Sequence, residues 1–268
     1  MKLAAVTVHY GNTSQTASLV EALVSCDCIH SISVVLHDEY QAAKTGRASW
    51  ITAENRGYAA GLNLAVRTLL LTQPDCDAIL AMNPDVTIRC SQIQELLANH
   101  SPESGAAFPA LRESRRLVHG YRFSRFGSLR ITRNPEWYSG ACFVFSIDAW
   151  KRIGGFDESY FHYFEDWAFC RKLRETGYRL NSVSNVVIDH AGKSGANYAL
   201  TPLPKYAVRN HLMALQKSGL LNPVSFINVA VRHFLYLFRW KQGWRGIGAW
   251  IQGINEFRRA NTSTKVVE

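Results

Sequence analysis

Short apolar runs alternate with stretches of helical periodicity along most of the chain. Runs rich in β-branched residues predict strands at residues 3–10, 32–36, 49–52, 78–82, 105–111, 141–145 and 179–190. Apolar positions three or four apart predict helices at 13–26, capped by Thr13 or Ser14, at 59–72, and from Glu165 to a stop at Gly177. Strands that alternate with helices across short loops indicate an α/β fold with a mostly parallel, Rossmann-like sheet flanked by helices.

Polar residues follow three of the predicted strands. Tyr10 ends the first strand, Asp38 follows the second, and Asp85 follows the wholly apolar run at 78–82. That run lacks alternation, which indicates a strand buried on both faces. In sheets of this kind, ligands bind beyond the carboxyl ends of the strands. We therefore expect a binding site at this edge of the sheet.

The pattern changes beyond Pro202. Residues 205–218 and 224–240 predict helices, and the second carries a polar stripe opposite an apolar one. We therefore predict a main domain at 1–200 and a helical extension at 201–268. The basic stretch 112–134 has no regular period, which indicates a hairpin or a mobile loop.

The composition is that of a protein with a substantial core, since 47% of the residues are hydrophobic and 19% are charged. The first apolar run is too short for a signal peptide, and no run reaches the roughly 18 residues of a spanning helix. The net charge of +9 is uneven: ten Lys and Arg stand against two Glu in residues 205–268, which gives that segment +8. The function has to account for this basic extension.

The six cysteines form no C-x-x-C pair. Several of them lie in apolar patterns, so we expect reduced core residues in a cytosolic protein and no structural zinc site. The cysteines are Cys26, Cys28, Cys76, Cys90, Cys142 and Cys170.

Two adjacent carboxylates, Glu165 and Asp166, follow an aromatic run at the start of a predicted helix. Carboxylates in a first helical turn satisfy free backbone N–H groups and oppose the helix dipole, so the pair fits a structural cap. The same pair fits a general base beneath an aromatic platform for a sugar ring. The residues alone leave both interpretations open.

Asp85 is a candidate metal ligand, because it ends a buried strand behind the stiff Pro84. Mg²⁺ and Mn²⁺ prefer oxygen ligands and share them between carboxylates and substrate phosphates. The alternative is that Asn-Pro-Asp only forms a turn. His190, at the end of the last predicted strand, is either a second metal ligand or an ordinary surface histidine.

The segment from Asn55 to Asn63 has a weaker signal. Gly57 and Gly61 lack the spacing of a dinucleotide-binding G-x-G-x-x-G motif. These residues either let a nucleotide approach a helix N-terminus or only shape a turn.

Several segments together resemble a known family. In order they are VTVHYGN, Asp38, ENRGYAAGLNLAV, MNPDV, SGACFVFSIDAWKRIGGFDESYFHYFEDW and His190. Over residues 3–200 they resemble the family 2 nucleotide-sugar glycosyltransferases, which have the GT-A fold, and are most similar to the rhamnosyltransferase-like branch. The GGFDE-x-YF-x-Y-x-ED block is the specific part. A Tyr-x-x-Arg-Asn segment also follows in that branch, here Tyr206, Arg209 and Asn210.

The resemblance implies a role for each matching residue. Asp166 would be the catalytic base, and Asp85 and His190 would hold Mg²⁺ or Mn²⁺ on the donor diphosphate. The nucleotide-sugar would contact Tyr10, Asp38, Asn55, Gly57, Gly61, Asn63 and Asn83, and the acceptor would contact Tyr163, Glu165 and Trp167. Two positions depart from the family, since Asn83 replaces the first metal carboxylate and Ala168 replaces a frequent second aspartate.

The resemblance further implies an inverting transfer of a deoxyhexose, L-rhamnose from dTDP-rhamnose, to a polyprenyl-diphosphate-linked glycan during bacterial surface polysaccharide (O-antigen) synthesis. A UDP-hexose or a galactofuranose donor is the alternative. The basic extension would then lie on the anionic inner face of the cytoplasmic membrane. It would otherwise pack on the main domain or form a dimer contact.

Three other classes of protein explain part of this pattern. A nucleic-acid-binding protein would explain the charge, but the chain has no RNP, helix-turn-helix or zinc motif. A nucleotidyltransferase would need a basic, glycine-rich phosphate loop near the first strand, which residues 9–12 do not form. A catalytically silent assembly partner would not need Asp85, Asp166 and His190. We therefore expect a peripheral membrane enzyme that does not bind nucleic acid.

Overall fold

A computed structural model describes residues 1–44, 47–101, 103–192, 203–239 and 243–264. The chain divides into two compact units. The first unit comprises residues 1–121, 131–158 and 165–196, and the second comprises residues 122–130, 159–164 and 197–268. The domain boundary that the sequence predicts near residue 200 lies outside the described residues.

The described residues form eleven strands. They are β1 Leu3–His9, β2 Ile29–Leu36, β3 Ala48–Thr52, β4 Ala78–Met82, β5 Val86–Thr87, β6 Ser104–Glu113, β7 Arg116–Val118, β8 Tyr121–Phe123, β9 Leu129–Ile131, β10 Cys142–Ser146 and β11 Arg179–His190. One sheet has the order β3-β2-β1-β4-β10-β6-β11-β5, with β7 paired to β6. β8 pairs with β9, so the hairpin interpretation of residues 112–134 is confirmed.

The strand directions confirm a mostly parallel sheet. β3, β2, β1 and β4 pair in parallel, and so do β6 and β11. β10 lies antiparallel between β4 and β6, which gives those six strands one common direction. The apolar pattern of β10 does not reveal its reversed direction, which brings its first residues to the carboxyl end of β4.

In the first unit, the described residues form five α-helices beside this sheet. They are α1 Thr13–Val24, α2 Tyr58–Thr72, α3 Cys90–Ala98, α4 Ile147–Arg152 and α5 Glu165–Glu175. The predicted cap of α1 is wrong by one residue: Asn12 caps it, because its Oδ1 accepts the N–H groups of Ser14 (3.0 Å) and Gln15 (3.2 Å). Gly177 ends α5 as predicted, in a left-handed conformation with φ +88°.

Both faces of the sheet carry apolar residues. Cys142 and Val144 of β10 belong to an aliphatic core on one face. Phe143 and Phe145 alternate with them and lie on the opposite face. There they join Phe156, Phe169 and Phe108 in a cluster of fully buried rings. Burial of each such side chain contributes about 1.5–3 kcal/mol, so this cluster anchors the segment that leads to α5.

The expectation that all six cysteines are reduced is wrong for one pair. Cys26 and Cys90 form a disulfide, although 64 residues separate them in the chain. The tertiary structure brings the two cysteines together, so this pairing cannot be predicted from short-range spacing in the sequence. Cys28, Cys76, Cys142 and Cys170 are free.

In its described residues the second unit has three α-helices, which are α6 Leu203–Lys217, α7 Pro223–Arg239 and α8 Ile247–Thr264, and a 3₁₀ helix at Gly243–Gly246. The first two confirm the predicted helices at 205–218 and 224–240. α8 was not predicted, because glycines interrupt the pattern between 243 and 253. One of them, Gly253, is required by close packing, since a Cβ there would overlap the Lys205 carbonyl of α6.

α7 is amphipathic, and its apolar stripe is the exposed one. Val224, Ile227, Val231, Leu235 and Phe238 expose 46–61% of their surface. The polar stripe points inward, where the Asn228 amide donates to the Phe126 carbonyl (2.7 Å) and Ser225 is fully buried. Among the described helices, none combines the length and hydropathy needed to cross a bilayer.

Candidate active site

The carboxyl ends of β1, β2 and β4 gather three of the predicted residues at one edge of the sheet. Tyr10 follows β1 and is exposed. Asp38 follows β2, is also exposed, and accepts the backbone N–H of Glu39 (2.8 Å). Asp85 follows β4. Parallel pairing in the order β2-β1-β4 places all three along the same edge, as predicted.

Sheet register brings His190 to Asp85. β11 pairs His190 with Val86 of β5 on one side and with Glu113 of β6 on the other. The His190 ring lies between two carboxylates, with Nε2 3.3 Å from Asp85 Oδ1 and Nδ1 3.1 Å from Glu113 Oε1. Burial alone would lower the pKa of His190, but the two carboxylates outweigh it and raise that pKa to about 9. Glu113 was not predicted, because its partner lies 77 residues further along the chain.

The antiparallel β10 connects Asp166 to this edge. β10 starts opposite the end of β4, where Cys142 pairs with Met82. The backbone N–H of Asn83 donates to the Ala141 carbonyl (2.8 Å), and the neighbouring Gly140 N–H donates to Asp166 Oδ2 (3.1 Å). An unbroken series of contacts therefore joins the Asn-Pro-Asp turn to Asp166, so Asp85, His190 and Asp166 lie in one region of the first unit.

Gly140 fits closely against Asp166. A Cβ on Gly140 would lie 3.1 Å from the Asp166 Cβ, which is tighter than ordinary contact. The other carboxylate oxygen of Asp166, Oδ1, accepts the Trp167 N–H at 2.7 Å. The helix-cap interpretation explains only this second hydrogen bond, since Gly140 lies outside α5. Asp166 is thus held by two backbone donors from two different elements.

The surroundings of Glu165 and Asp166 give the two carboxyl groups different pKa values. Burial raises the pKa of Glu165 to about 8, with help from the nearby charge of Asp166. Burial raises the pKa of Asp166 only to about 6, because hydrogen bonds from Gly140 and Trp167 favour its charged form. At neutral pH Glu165 is therefore a neutral acid and Asp166 a carboxylate. Neighbouring carboxyl groups with such different pKa values are typical of acid–base sites.

Three buried polar atoms in the same region have no protein partner among the described residues. They are Tyr58 Oη, Asn83 Oδ1 and Glu165 Oε2. Burial raises the pKa of Tyr58 well above its usual value, and the charges of Glu165, Asp85 and Asp166 raise it further. An unsatisfied buried polar group costs about 1–3 kcal/mol, so three of them beside charged groups indicate a site built for a polar ligand.

Tyr58 was not singled out in the sequence, because an aromatic residue at the first position of a helix is expected to pack. A signal was present, since Tyr58 follows Gly57 inside the family-like segment. Gly57 has φ +100°, a conformation that side chains rarely adopt. Asn55 Oδ1 accepts the Gly57 N–H (3.0 Å) and fixes this turn. Asn55 and Gly57 therefore shape the start of α2 and set the position of Tyr58.

Gly61 and Asn63 contact protein groups. A Cβ on Gly61 would lie 2.8 Å from Val8, so this glycine lets α2 pack closely on β1. The Asn63 amide donates to the Phe156 carbonyl (3.0 Å) and to Glu158 Oε1 (2.9 Å). Its Oδ1 accepts the Phe156 N–H (2.9 Å). Asn63 thereby holds the glycine-rich loop that precedes the aromatic run.

The residues near Asp85 fit a hard divalent cation. Asp85 offers a carboxylate, and Asn83 adds a buried amide oxygen without a partner among the described residues. His190 offers an imidazole nitrogen once a bound cation displaces the proton that Asp85 and Glu113 stabilise on its ring. Oxygen-rich donor sets of this kind suit Mg²⁺ or Mn²⁺. The replacement of the first family carboxylate by Asn83 therefore keeps an oxygen donor while removing one negative charge.

The predicted acceptor residues fall in both units. Trp167 and Glu165 belong to the first unit, where Trp167 is buried and the Arg171 guanidinium lies 5.5 Å from its ring centroid. Tyr163 belongs to the second unit and has φ +67°, as does Phe164. The Asn210 amide donates to the carbonyl of Tyr163 at 3.0 Å. The family-like Tyr-x-x-Arg-Asn segment thus supports the loop that carries Tyr163.

Sequence comparison finds distant relatives, although no protein-family profile matches the chain. An N-acetylglucosaminyl-diphospho-decaprenol L-rhamnosyltransferase from Mycobacterium tuberculosis is 26% identical over 220 residues, which span 68% of this chain and 66% of the relative. A low-salt glycan biosynthesis hexosyltransferase from Haloferax volcanii is 26% identical over 135 residues, spanning 45% of this chain and 44% of that protein. The chain thus matches somewhat less than two thirds of the length of the first relative.

Two solved structures resemble the whole chain. A mannosyltransferase from Pyrobaculum calidifontis, solved with GDP-Man and Mn²⁺, has a TM-score of 0.58 at 14% identity and covers 97% of this chain and 75% of its own. Residues 1–349 of Staphylococcus aureus TarS have a TM-score of 0.57 at 16% identity and cover 96% and 80%. These likenesses confirm the predicted GT-A fold.

Proposed function

We propose that this chain, which has the GT-A fold and resembles the rhamnosyltransferase-like branch of family 2, is a glycosyltransferase that moves a sugar from a nucleotide-sugar donor to a glycan hydroxyl. One observation carries the proposal: the contacts from Asn83 through Ala141 and Gly140 to Asp166 unite a cation-binding edge with a buried carboxylate. That pairing of a diphosphate-binding edge and a general base is what sugar transfer requires.

Asp166 is the general base of the proposed reaction. It removes the proton from the acceptor hydroxyl as that oxygen attacks C1 of the sugar from the face opposite the leaving group, so the anomeric centre inverts. A pKa of about 6 keeps Asp166 ionised at neutral pH and still basic enough to take a proton. One positioned base typically contributes 10²–10⁴-fold to the rate.

Glu165 is a hydrogen-bond donor in the same proposal. Its pKa of about 8 keeps the buried group protonated at neutral pH, and its Oε2 has no partner among the residues that the structure describes. Tyr58 contributes a buried hydroxyl that also lacks a partner in the described part of the chain. Together they offer polar contacts to sugar hydroxyls, which are the groups that distinguish one hexose from another.

Asp85 and His190 would hold Mg²⁺ or Mn²⁺, with Asn83 as a further oxygen donor. When bound, the cation supplies positive charge to the departing diphosphate, a contribution of several kcal/mol. The exposed edge formed by Tyr10 and Asp38 leaves room for the nucleoside. The Mn²⁺ in the structurally similar mannosyltransferase supports the use of a divalent cation here.

The donor of the proposal is dTDP-L-rhamnose, and the acceptor is a polyprenyl-diphosphate-linked glycan of bacterial surface polysaccharide. The Mycobacterium relative, whose name specifies L-rhamnosyl transfer to a decaprenol-linked sugar, supports L-rhamnose as the sugar and a polyprenyl-linked acceptor. The Haloferax relative is named a hexosyltransferase, so a UDP-hexose or galactofuranose donor is the alternative.

A screen for thermal stabilisation tests this function. A ligand present at 100 times its Kd stabilises a protein by about 2.7 kcal/mol. We expect dTDP-rhamnose with Mn²⁺ to raise the melting temperature, UDP-hexoses to raise it less, and Asp85→Asn to lose the metal-dependent part. Asp148→Asn is the matched control, because Asp148 is exposed in α4, beyond the opposite end of β10. If no nucleotide-sugar stabilises the protein with either metal, the proposed function is wrong.

We further propose that the exposed stripe of α7 binds the anionic inner face of the cytoplasmic membrane. The stripe presents Ile227, Val231 and Leu235 to solvent on a segment that carries most of the net positive charge. An amphipathic, cationic helix lies in the headgroup region, where each buried apolar side chain adds to attraction by anionic lipids. The proposed acceptor is anchored in the membrane by its lipid, so membrane docking would bring the enzyme to its substrate.

Flotation with phosphatidylglycerol and phosphatidylcholine vesicles tests this surface. The double substitution Ile227→Asp and Leu235→Asp should reduce vesicle binding at least about tenfold, since each change removes burial worth more than 1.4 kcal/mol. Leu71→Asp is the control, because Leu71 is 85% exposed on α2 of the first unit. Unchanged flotation of the double variant, or loss of a dimer instead, would contradict membrane docking.

A further inference from the structure

Three cysteine sulfurs lie together at the edge of the sheet opposite the candidate active site. Cys26 and Cys28 precede β2, whose other end leads to Asp38, and Cys90 is the first residue of α3. The three Sγ atoms lie within 4.8 Å of one another. This is the one such cluster of three or more metal-ligating side chains that the described part of the chain contains.

The backbone around the cluster is fixed. The Arg47 guanidinium donates to the carbonyls of Val24 (2.6 Å) and Ile29 (3.1 Å), which bracket the turn that carries Cys26 and Cys28. The Ile29 N–H also donates to the Cys26 carbonyl (3.0 Å). The two sulfurs of this turn are therefore held in place by hydrogen bonds that do not involve sulfur.

A cross-link between α1 and α3 needs two sulfurs, and the structure supplies three. Cys26 and Cys90 form the disulfide, and the Cys28 thiol donates to Cys26 Sγ at 3.1 Å. Cys26 is fully buried, whereas Cys28 and Cys90 are half-buried, so the cluster opens on one side. The disulfide leaves the third sulfur without a covalent role.

We propose that the reduced cluster is a binding site for a soft divalent cation such as Zn²⁺. A dithiol reductant first cleaves the Cys26–Cys90 bond: the reductant gives two electrons and two protons and becomes a cyclic disulfide, and the protein gains two thiols. Binding of the cation then releases three protons, one from each thiol, as three sulfur–metal bonds form. Water takes the fourth position, as in open three-ligand zinc sites.

The geometry suits that ion. Zn–S bonds of about 2.3 Å in a tetrahedron place sulfurs about 3.8 Å apart, and the cluster already holds its sulfurs within 4.8 Å. Cys90 starts α3, where the helix N-terminus stabilises a thiolate.

Soft thiolate ligands also select the metal. Three sulfurs favour Zn²⁺, Cd²⁺ or Cu⁺ over Mg²⁺ and Mn²⁺, which prefer the oxygen donors near Asp85. The two sites therefore take different ions. In a reducing compartment the cation replaces the disulfide as the link between α1, β2 and α3, so the elements stay joined in either redox state.

Cadmium titration of the full chain tests the site. The protein is reduced with a phosphine, desalted and titrated with Cd²⁺ in excess Mg²⁺, while the thiolate-to-cadmium ultraviolet band and the native mass are recorded. We expect one Cd²⁺ per chain with loss of protons from three thiols, and no band from the oxidised protein. Cys28→Ser should weaken binding by more than the roughly 10–100-fold that outer-shell changes cause.

Cys76→Ser is the matched control, since Cys76 is a buried free cysteine outside the cluster, and it should bind Cd²⁺ like the wild type. The proposal is overturned if the reduced wild type shows no band, if Cys28→Ser binds as tightly as the wild type, or if the oxidised protein binds equally well. The comparison of reduced with oxidised wild-type protein needs no substitution, so it tests the proposal even if a variant fails to fold.

Discussion

The two neighbouring carboxyl groups at the start of α5 differ in what their oxygens contact. Asp166 accepts two backbone hydrogen bonds, whereas Glu165 Oε2 accepts none within the described protein. The same burial therefore leaves one group charged and the other neutral at pH 7. In our proposal this difference assigns Asp166 to proton removal and Glu165 to hydrogen-bond donation.

Replacement of Glu165 by Gln tests that division. The substitution mimics the neutral acid, so we expect transfer at pH 7 to stay within about threefold of the wild type. In the wild type, kcat/KM should fall about tenfold per pH unit below the Asp166 pKa of about 6, and it should change again near pH 8 as Glu165 ionises. In the pH profile of kcat/KM, the Glu165→Gln variant should keep the change near pH 6 and lose the change near pH 8. A change near pH 8 that persists in Glu165→Gln would contradict the assignment.

Tyr58 offers a second test, because its hydroxyl is buried without a described partner. Tyr58→Phe removes an unsatisfied group, so the free energy of unfolding should stay constant or rise by up to about 1 kcal/mol. The affinity for the sugar substrate should fall about tenfold if a sugar hydroxyl normally fills the gap. Denaturant unfolding and substrate titration measure the two effects. Tyr178→Phe, which removes a hydroxyl bonded to Asp148, is the control and should not change substrate affinity.

The proximity of two candidate residues was predictable from their positions in the sequence. Asp85 follows an apolar strand and His190 ends the last predicted strand, and the structure places their side chains 3.3 Å apart. Glu113 and Tyr58 were not predicted, because their surroundings come from strands and helices far away in the chain. Burial and missing hydrogen bonds, which identify Tyr58, are properties of the fold and leave no local pattern.

At the level of elements, α6 holds a strained loop in the second unit. Tyr163 and Phe164 both have φ +67°, which costs of order 1–3 kcal/mol per residue. The Asn210 amide of α6 donates to the carbonyls of His162 (2.9 Å) and Tyr163 (3.0 Å), and the Tyr206 ring stacks on Phe161 at 4.4 Å. The strained loop directly precedes Glu165 in the chain, so its conformation bears on the proposed base.

Asn210→Ala should therefore lower both stability and transfer. Two carbonyls lose their donor, at a cost of about 1–3 kcal/mol each if they stay buried. We expect a lower melting temperature and a reduced kcat, with donor binding close to that of the wild type. Gln216→Ala, a change on the last turns of the same helix, is the control. An unchanged kcat in a clearly destabilised Asn210→Ala protein would show that the loop conformation is irrelevant to transfer.

Elements were predicted well where one signal dominates. β4 and β11 have the predicted bounds, because β4 is uniformly apolar and β11 ends at a polar, glycine-containing segment. α8 was missed because it contains two glycines, of which Gly253 serves close helix packing against Lys205. The direction of β10 was also missed, since an apolar run has no direction until its neighbours are known. That direction is what brings Asp166 to the site.

On the scale of the whole molecule, the stability of the second unit depends on the neutral form of two buried histidines. His211 Nε2 lies 2.8 Å from the Gly127 carbonyl, and His211 Nδ1 lies 3.1 Å from His233 Nε2. With the proton on Nε2 of both rings, each ring donates one hydrogen bond, and His233 Nδ1 is a buried acceptor without a partner among the described residues. Burial lowers the pKa of His211 to about 4 and that of His233 well below its usual value. Both rings are therefore neutral at pH 7.

This pair predicts acid sensitivity. The unfolded chain binds a proton at each histidine below pH 6.5, while the folded unit resists protonation until about pH 4. The contribution of the neutral histidines to the free energy of unfolding is therefore fully present above pH 6.5. It is lost as the pH drops from 6.5 to 4, and the loss amounts to up to about 3 kcal/mol for His211. Thermal melts at pH 7, 6 and 5 should show this loss, and the control His30→Gln, at an exposed site, should retain it. Equal melting temperatures at all three pH values would contradict it.

The most direct test of the account compares transfer with donor binding in Asp166→Asn. Sugar transfer from the stabilising donor is followed with a radiolabel, and donor affinity is followed by thermal shift with Mn²⁺. We predict that transfer falls at least about 100-fold while donor affinity stays within about threefold. Wild-type turnover in Asp166→Asn would contradict the account, because Asp166 would then not be the base of this site.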